Sequence, residues 1–300
     1  MSNNPTISPG ELFIASHLGF CNGVRRALER VQQQINSQKP GQTLYIYNEI
    51  VHNSFIVEQL KKQGVQFIHS LDEITHPAPV VWSAHGVPPA LDRLARTREL
   101  IIIDATCPLV QRIHDLATEH CRQNDLVIFI GHQRHPETVG VLGCGPVHCV
   151  STPDECLQLP APDAEQKVVV LTQTTWCADD IAEILAVLQS RYSSLQVLSN
   201  ICYATAERQQ AVQELIQQHH IEHLLVIGSP NSSNSNRLCE VARHHGISAV
   251  LVDDPTEIKL MDFSRRPRLG ISAGASAPEI LLEQALEILQ TQHNYHINRG

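Results

Sequence analysis

The chain has little with which to coat a nucleic acid or enter a bilayer. Its 22 Lys and Arg are outnumbered by 31 Asp and Glu, a net charge of −9, so no broad basic face for a phosphate backbone or anionic lipid is expected. No apolar run approaches the ~18 residues of a membrane span, and no membrane partner is expected. The opening MSNNPTISPG has neither a basic n-region nor an apolar h-region, so no signal peptide and a cytoplasmic location are expected. In that compartment disulfides are scarce, and for the 9 cysteines a metal or catalytic role outranks a disulfide framework. No linker or low-complexity stretch divides the chain.

What the sequence does have is a globular balance, 42% hydrophobic against 18% charged, over 300 residues, enough for two or three domains with ample core. Histidine is plentiful, 17 against the 22 Lys and Arg, so an anionic ligand would be held locally by imidazoles, hydroxyls and backbone N–H groups.

Three cysteines share a setting. GFCNGV around Cys21, DATCP around Cys107 and NICYAT around Cys202 each follow a short apolar run and open a helix-like segment. Their even beat predicts three similar α/β units, each delivering one thiolate to a common centre. Helical spacing over 24–35, 109–122 and 204–219 supports this. Strand-like runs at 12–16, 44–53, 79–86, 101–106, 126–137, 167–175, 195–200, 223–236 and 268–278 alternate with helices, which implies parallel sheets. In such sheets ligands sit beyond the carboxyl ends of the strands. The expected lobes are 22–106, 107–200 and 201–290, the last completed by an N-terminal strand at 11–21, with tails at 1–10 and 291–300.

The polar strand ends carry the chemistry. His52 in EIVHN, His85 in SAHGV and His135 in HPE occupy matching places, which points to anion binding, although each alone reads as structural. NSSNSN (231–236) offers Ser232, Ser233 and Asn234 before a helix, a phosphate cradle or an ordinary cap. SAGAS, ending in Ser276, is a second small-residue loop. Glu137, buried in a polar cavity, would be a proton donor, with TQTT (172–175) orienting the proton. Cys121, Cys156, Cys177 and Cys239 read as small buried hydrophobes. GCGPVHC, with Cys144 and Cys149, lacks the short zinc-hook spacing. Three thiolates without a fourth protein ligand suit an iron–sulfur cluster with one open iron better than a closed zinc site.

In their order, GFCNGV, EIVHN, SAHGV, DATCPLV, GHQRHPE, TQTT, ICYAT, GSPNSSNSNR and SAGASAP resemble the 4-hydroxy-3-methylbut-2-enyl diphosphate reductase family, from about Ile14 to Ile288. The resemblance implies three pseudo-threefold-related α/β lobes around a central 4Fe–4S cluster ligated by Cys21, Cys107 and Cys202. It implies diphosphate binding by His52, His85, His135, Ser232, Ser233, Asn234 and Ser276, with Glu137 as acid and Thr174 near the substrate hydroxyl. The implied reaction is a reductive dehydroxylation to isopentenyl and dimethylallyl diphosphate, the last step of the methylerythritol phosphate route. Electrons would come from a ferredoxin or flavodoxin, to a monomer or homodimer. His17-Leu18 stands where many relatives have Pro-Arg, and Asn22 where a small or aromatic residue is common. Quinolinate synthase has a similar plan, and a non-catalytic iron–sulfur sensor or a zinc-stabilised protein is a third reading. The NSSNSN and HPE loops favour the reductase.

Overall fold

The computed structural model describes residues 8–298 apart from 164 and 199. In chain order the elements are β1 (Gly10–Ile14), α1 (Asn22–Ser37), β2 (Tyr45–Tyr47), α2 (Ser54–Lys62), β3 (Gln66–Ile68), β4 (Pro79–Trp82), α3 (Pro89–Thr97) and β5 (Ile101–Asp104). Then come α4 (Pro108–Arg122), β6 (Leu126–Ile130), α5 (Pro136–Leu142), β7 (Val147–Val150), β8 (Val168–Thr172), α6 (Ala178–Arg191) and β9 (Leu195–Leu198). The last stretch holds α7 (Tyr203–His219), β10 (His223–Ile227), α8 (Ser233–His244), β11 (Ser248–Val252), β12 (Leu269–Ala273), α9 (Glu279–Thr291) and β13 (Tyr295–Asn298).

Local chemistry sets the helix starts. The Cys21 sulfur accepts from Val24 N, and α1 then buries Val24, Ala27 and Val31 along one stripe. Asn53 caps α2 through its side chain, and prolines open α3, α4 and α5, where a missing N–H costs nothing. β4, β6, β8 and β12 are buried along their whole length, as parallel strands covered on both faces should be.

The strands form three parallel sheets, ordered β3-β2-β4-β5, β7-β6-β8-β9 and β11-β10-β12-β1-β13. The first two have one topology: second strand, first, third, fourth. The third repeats it with β1 in the fourth place. Each of Cys21, Cys107 and Cys202 follows a fourth strand, and each sheet reverses its order between first and third strands. That reversal opens a crevice at the strands' carboxyl ends.

Two compact units contain these sheets. Cys21–Thr205 holds the two four-stranded sheets, where separate lobes at 22–106 and 107–200 were expected, and Met1–Phe20 with Ala206–Gly300 holds the five-stranded one. Of the expected tails, residues 1–7 and 299–300 lie outside the described residues. The rest is not tail: Gly10 begins β1, and β13 pairs with it in parallel from Gly10↔Tyr295 to Phe13↔Asn298. Tyr295 is buried against Gly10, where a Cβ would meet its ring at 2.6 Å. YHIN is too short and too polar in alternate positions to stand out as a strand.

Leu171, fully buried in the core with Ile113, Val127 and Phe129, should lose about 2–5 kcal/mol on Leu171→Ala. Ile101→Ala, on the edge strand β5 and 57% exposed, should cost less than about 1. Urea unfolding of both variants checks this, and equal losses would contradict the assigned core.

Candidate active site

Within Cys21–Thr205 the loops beyond β2 and β4 bring histidines together. After β2 the chain turns through Asn48, whose φ of 56° is a left-handed value that Asn tolerates. Asn48 N–H donates to Ile68 O at 2.8 Å. Beyond the strands the sheet order continues as single bonds: Ala84 N–H donates to Ile50 O (3.1 Å), and Cys107 N–H to Ala84 O (3.0 Å). These bonds tether the loops of His52 and His85 to Cys107.

The His52 and His85 rings stack at 4.1 Å, and His135 stands edge-on to them at 5.3 and 5.5 Å. Burial first, then the neighbouring imidazoles, hold His85 well below the usual histidine range and bring His135 down to about 3. Both are therefore neutral near pH 7. His135 Nδ1 accepts the N–H of Glu137 (3.2 Å), so its single proton sits on Nε2, a donor. His52 Nδ1 lies 2.9 Å from Glu49 Oε2.

Glu137, in the first turn of α5, is buried. Thr174 N–H donates to its Oε1 at 2.8 Å, and Thr174 Oγ–H to its Oε2 at 2.9 Å. Burial pushes the carboxyl up to about 7 against the opposing pull of these bonds. Thr174 O in turn accepts from Cys202 N–H at 2.9 Å, joining the acid to the third cysteine.

Burial raises Cys107, and the nearby Cys21 and Cys202 thiols add to that shift. Gly23 makes the approach possible: a Cβ there would stand 2.8 Å from Cys107 Sγ and 3.8 Å from Cys21 Sγ. Three thiolates on one tetrahedral zinc would be about 3.8 Å apart. Among the described residues, the triad whose ligand atoms all fall within 4.8 Å of one another is instead His52, His85 and His135. The Cys21 and Cys202 thiols stand near that of Cys107.

In the other unit, Ser232 is buried, caps α8, and shares a hydrogen bond with Ser235 Oγ at 3.0 Å. The helix begins at Ser233, earlier than the polar run NSSNSN suggests, because that run supplies its own cap. Ser235 packs so tightly on Gly274 that a Cβ there would meet its Oγ at 2.1 Å. Asn234 is buried, and among the described residues neither end of its amide has a hydrogen-bond partner. A buried amide in that state is costly unless a ligand completes it. Ser276 is buried in the loop after β12.

Glu49 escaped the sequence reading, although the Glu-x-x-His spacing in EIVHN was a readable sign of it. Cys156, Cys177 and Cys239 are buried as expected, whereas Cys121 is only partly so and lies against the core of β6 and β8.

A buried acid with partly buried imidazoles and thiols beyond parallel strands defines an α/β enzyme whose reactive groups lie at the strands' carboxyl ends. The LytB protein family model matches residues 12–290, and the chain belongs to that family. It is 38% identical over 296 residues to the 4-hydroxy-3-methylbut-2-enyl diphosphate reductase of Nitrosomonas europaea, covering 96% of this chain and 90% of that one. It is 42% identical over 287 residues to the Cereibacter sphaeroides protein of the same name, covering 94% and 88%. The solved E-1-hydroxy-2-methyl-but-2-enyl-4-diphosphate reductase of Plasmodium falciparum superposes with a TM-score of 0.89 at 29% identity, over 97% of this chain and 92% of that one. A solved (E)-4-hydroxy-3-methyl-but-2-enyl diphosphate reductase, described as the terminal enzyme of the non-mevalonate pathway, gives 0.66 at 29% identity, over 94% and 99%.

Glu137 also makes a prediction for stability. Its folded value of about 7 lies above the ordinary 4.5, so its contribution is full below about 4.5 and is lost as pH rises through about 7. Against Glu137→Gln, the wild type should lose up to about 3 kcal/mol over that window. Urea unfolding of both at pH 5 and pH 8 checks this, and a difference that does not change with pH would contradict a buried carboxyl.

Proposed function

We propose that this chain is a 4-hydroxy-3-methylbut-2-enyl diphosphate reductase that yields isopentenyl and dimethylallyl diphosphate. The allylic carbon–oxygen bond breaks, two electrons and two protons are taken up, and the oxygen leaves as water. The observation that carries the reading is Glu137: a carboxyl kept protonated to about pH 7 by burial, and tied through Thr174 to the backbone of Cys202.

Cys21, Cys107 and Cys202 would hold a 4Fe–4S cluster through three of its irons. Their grouping around Cys107 and the room left by Gly23 fit such a group. When bound, the cluster supplies the electrons and an open iron that acts as a Lewis acid. A ferredoxin- or flavodoxin-type carrier in the cytoplasm would feed it.

The chain's own residues do the rest. Hydroxide is a poor leaving group, and protonation makes it water. Glu137 supplies that proton, and Thr174 Oγ, 2.9 Å from Glu137 Oε2, orients the departing hydroxyl. The neutral rings of His85 and His135 give N–H donors to the diphosphate without a buried charge of their own, and His52 completes the triad. In the other unit, Ser232, Ser233, Asn234 and Ser276, with the dipole of the α8 N-terminus, form a further set of diphosphate-binding groups. The orphaned amide of Asn234 supports that assignment.

Glu137→Gln tests the reading. Gln keeps the shape but has no proton to give, so turnover should fall by roughly 10²–10⁴-fold with iron content and substrate affinity nearly intact. In the wild type, turnover limited by the acid should decline as pH rises above about 7, where Glu137 ionises. Gly23→Ala should instead lower the iron content, because its methyl displaces the Cys107 sulfur. Near-normal turnover in an iron-replete Glu137→Gln protein would place the acid elsewhere.

A further inference from the structure

Each of the three cysteines is followed by a residue that faces solvent. Asn22, Pro108 and Tyr203 are exposed, Tyr203 by 53%, while Cys21, Cys107 and Cys202 are partly covered. Asn22 Nδ2–H donates to Tyr203 Oη at 2.9 Å, which ties the residue after the first cysteine to the residue after the third. The cover over the thiols is thin. A Cβ at Gly23, next to Asn22, would stand 2.8 Å from Cys107 Sγ and 3.8 Å from Cys21 Sγ. All of these residues lie within Cys21–Thr205.

The same face is basic in an acidic chain. α1 holds three arginines and one glutamate, in a protein of net charge −9. Arg26 lies four residues beyond Asn22 on α1, and Arg112 four beyond Pro108 on α4, so each shares a helix face with the residue that follows a cysteine. Arg26, Arg30, Arg112 and Pro108 line one open cavity of about 300 Å³. Two acids share it, and both are engaged. Asp104 accepts Thr106 N–H at 2.9 Å, and Asp115 accepts Gln111 Nε2–H at 2.9 Å. Arg30 donates to the backbone carbonyl of Asp104. Arg26 and Arg112 are exposed, and among the described residues neither has an ion-pair partner. Exposed guanidinium groups of this kind steer an acidic partner and make its docking salt-dependent.

We infer that this face, with Asn22, Tyr203 and Pro108 beside Arg26 and Arg112, receives an acidic one-electron carrier protein. In each encounter the carrier is oxidised by one electron and the cluster is reduced by one. Two encounters supply the two electrons that the dehydroxylation takes up, and no bond or proton passes between the proteins. The inference rests on the reading of the three cysteines as cluster ligands. A carrier seated here would stand one residue away from all three thiols, close enough for electron transfer without contact between the redox centres.

The probe is an acidic 2Fe–2S ferredoxin, titrated in its oxidised form into the iron-loaded full chain. At low salt Arg26→Glu and Arg112→Glu should each weaken binding about tenfold, the worth of one lost charge-assisted contact. At roughly 0.5 M salt, where exposed charges are screened, both should come within about twofold of wild type. Lys62→Glu is the control. It changes the net charge by as much, in the exposed last turn of α2, and should leave the affinity within about twofold. Mixed with reduced ferredoxin below saturation, the two arginine variants should take up electrons about tenfold more slowly than wild type. Reduced methyl viologen, a small cation, should reduce all four proteins alike. Unchanged ferredoxin affinity in both arginine variants, an equal loss in Lys62→Glu, or no binding by wild type would overturn the inference. In those cases iron-replete protein that methyl viologen still reduces leaves the cluster reading standing. A chain that takes up no iron fails that reading, and the docking face falls with it.

Discussion

Taking Glu137 out of water costs more than its two hydrogen bonds to Thr174 return, and its carboxyl therefore titrates at about 7. Among the described residues no cation offsets the burial. A lysine or arginine beside it would pull the value down and leave a carboxylate with nothing to give near neutral pH. The same loss of water neutralises His85 and His135, so one physical cause sets the protonation of the carboxyl and of both imidazoles. Burial acts in opposite directions on the two kinds of group and leaves both uncharged, which is the state that can donate a proton or a hydrogen bond.

That environment is a product of topology. Each sheet reverses its order between first and third strands, and the loops leaving those strands carry the polar residues: His52 and His85, Glu137 and Thr174, Ser232 and Ser276. The fourth strand precedes a cysteine each time. Backbone bonds then carry the sheet order beyond the strands, from Ile50 to Ala84 to Cys107, and again from Thr174 to Cys202. The thiols of Cys21 and Cys107 and the carboxyl of Glu137 stand at helix starts just beyond strand ends, held in place by the sheets.

Much of this was legible in the sequence because the signals were repeated. Apolar runs that stop at His, Ser, Thr or Cys mark strand ends, and three parallel copies made each weak sign stronger. Boundaries read less well. The run 44–53 continues past the end of β2 because Ile50 and Val51 are buried in the loop as strand residues would be, whereas the polar end of 126–137 belongs to the turn after β6 and the first turn of α5. Ser233 starts α8 inside a run that looks like loop, because Ser and Asn serve both states. β13 was invisible, being four residues whose burial depends on β1 at the other end of the chain. Protonation read only in part: the sequence suggested a buried proton donor at Glu137 but not the neutral state of His85 and His135. Sequence names both histidines, but only their surroundings say that they are neutral.

The central claim is that three thiols hold a cluster with one iron left to the substrate. Mössbauer spectra of ⁵⁷Fe-enriched protein, purified without oxygen, test this most directly. The account predicts a 4Fe–4S signature with iron sites in a three-to-one ratio, the single site alone shifting when the hydroxylated diphosphate is added. Four equivalent irons indifferent to substrate, or a protein that holds no iron, would contradict it.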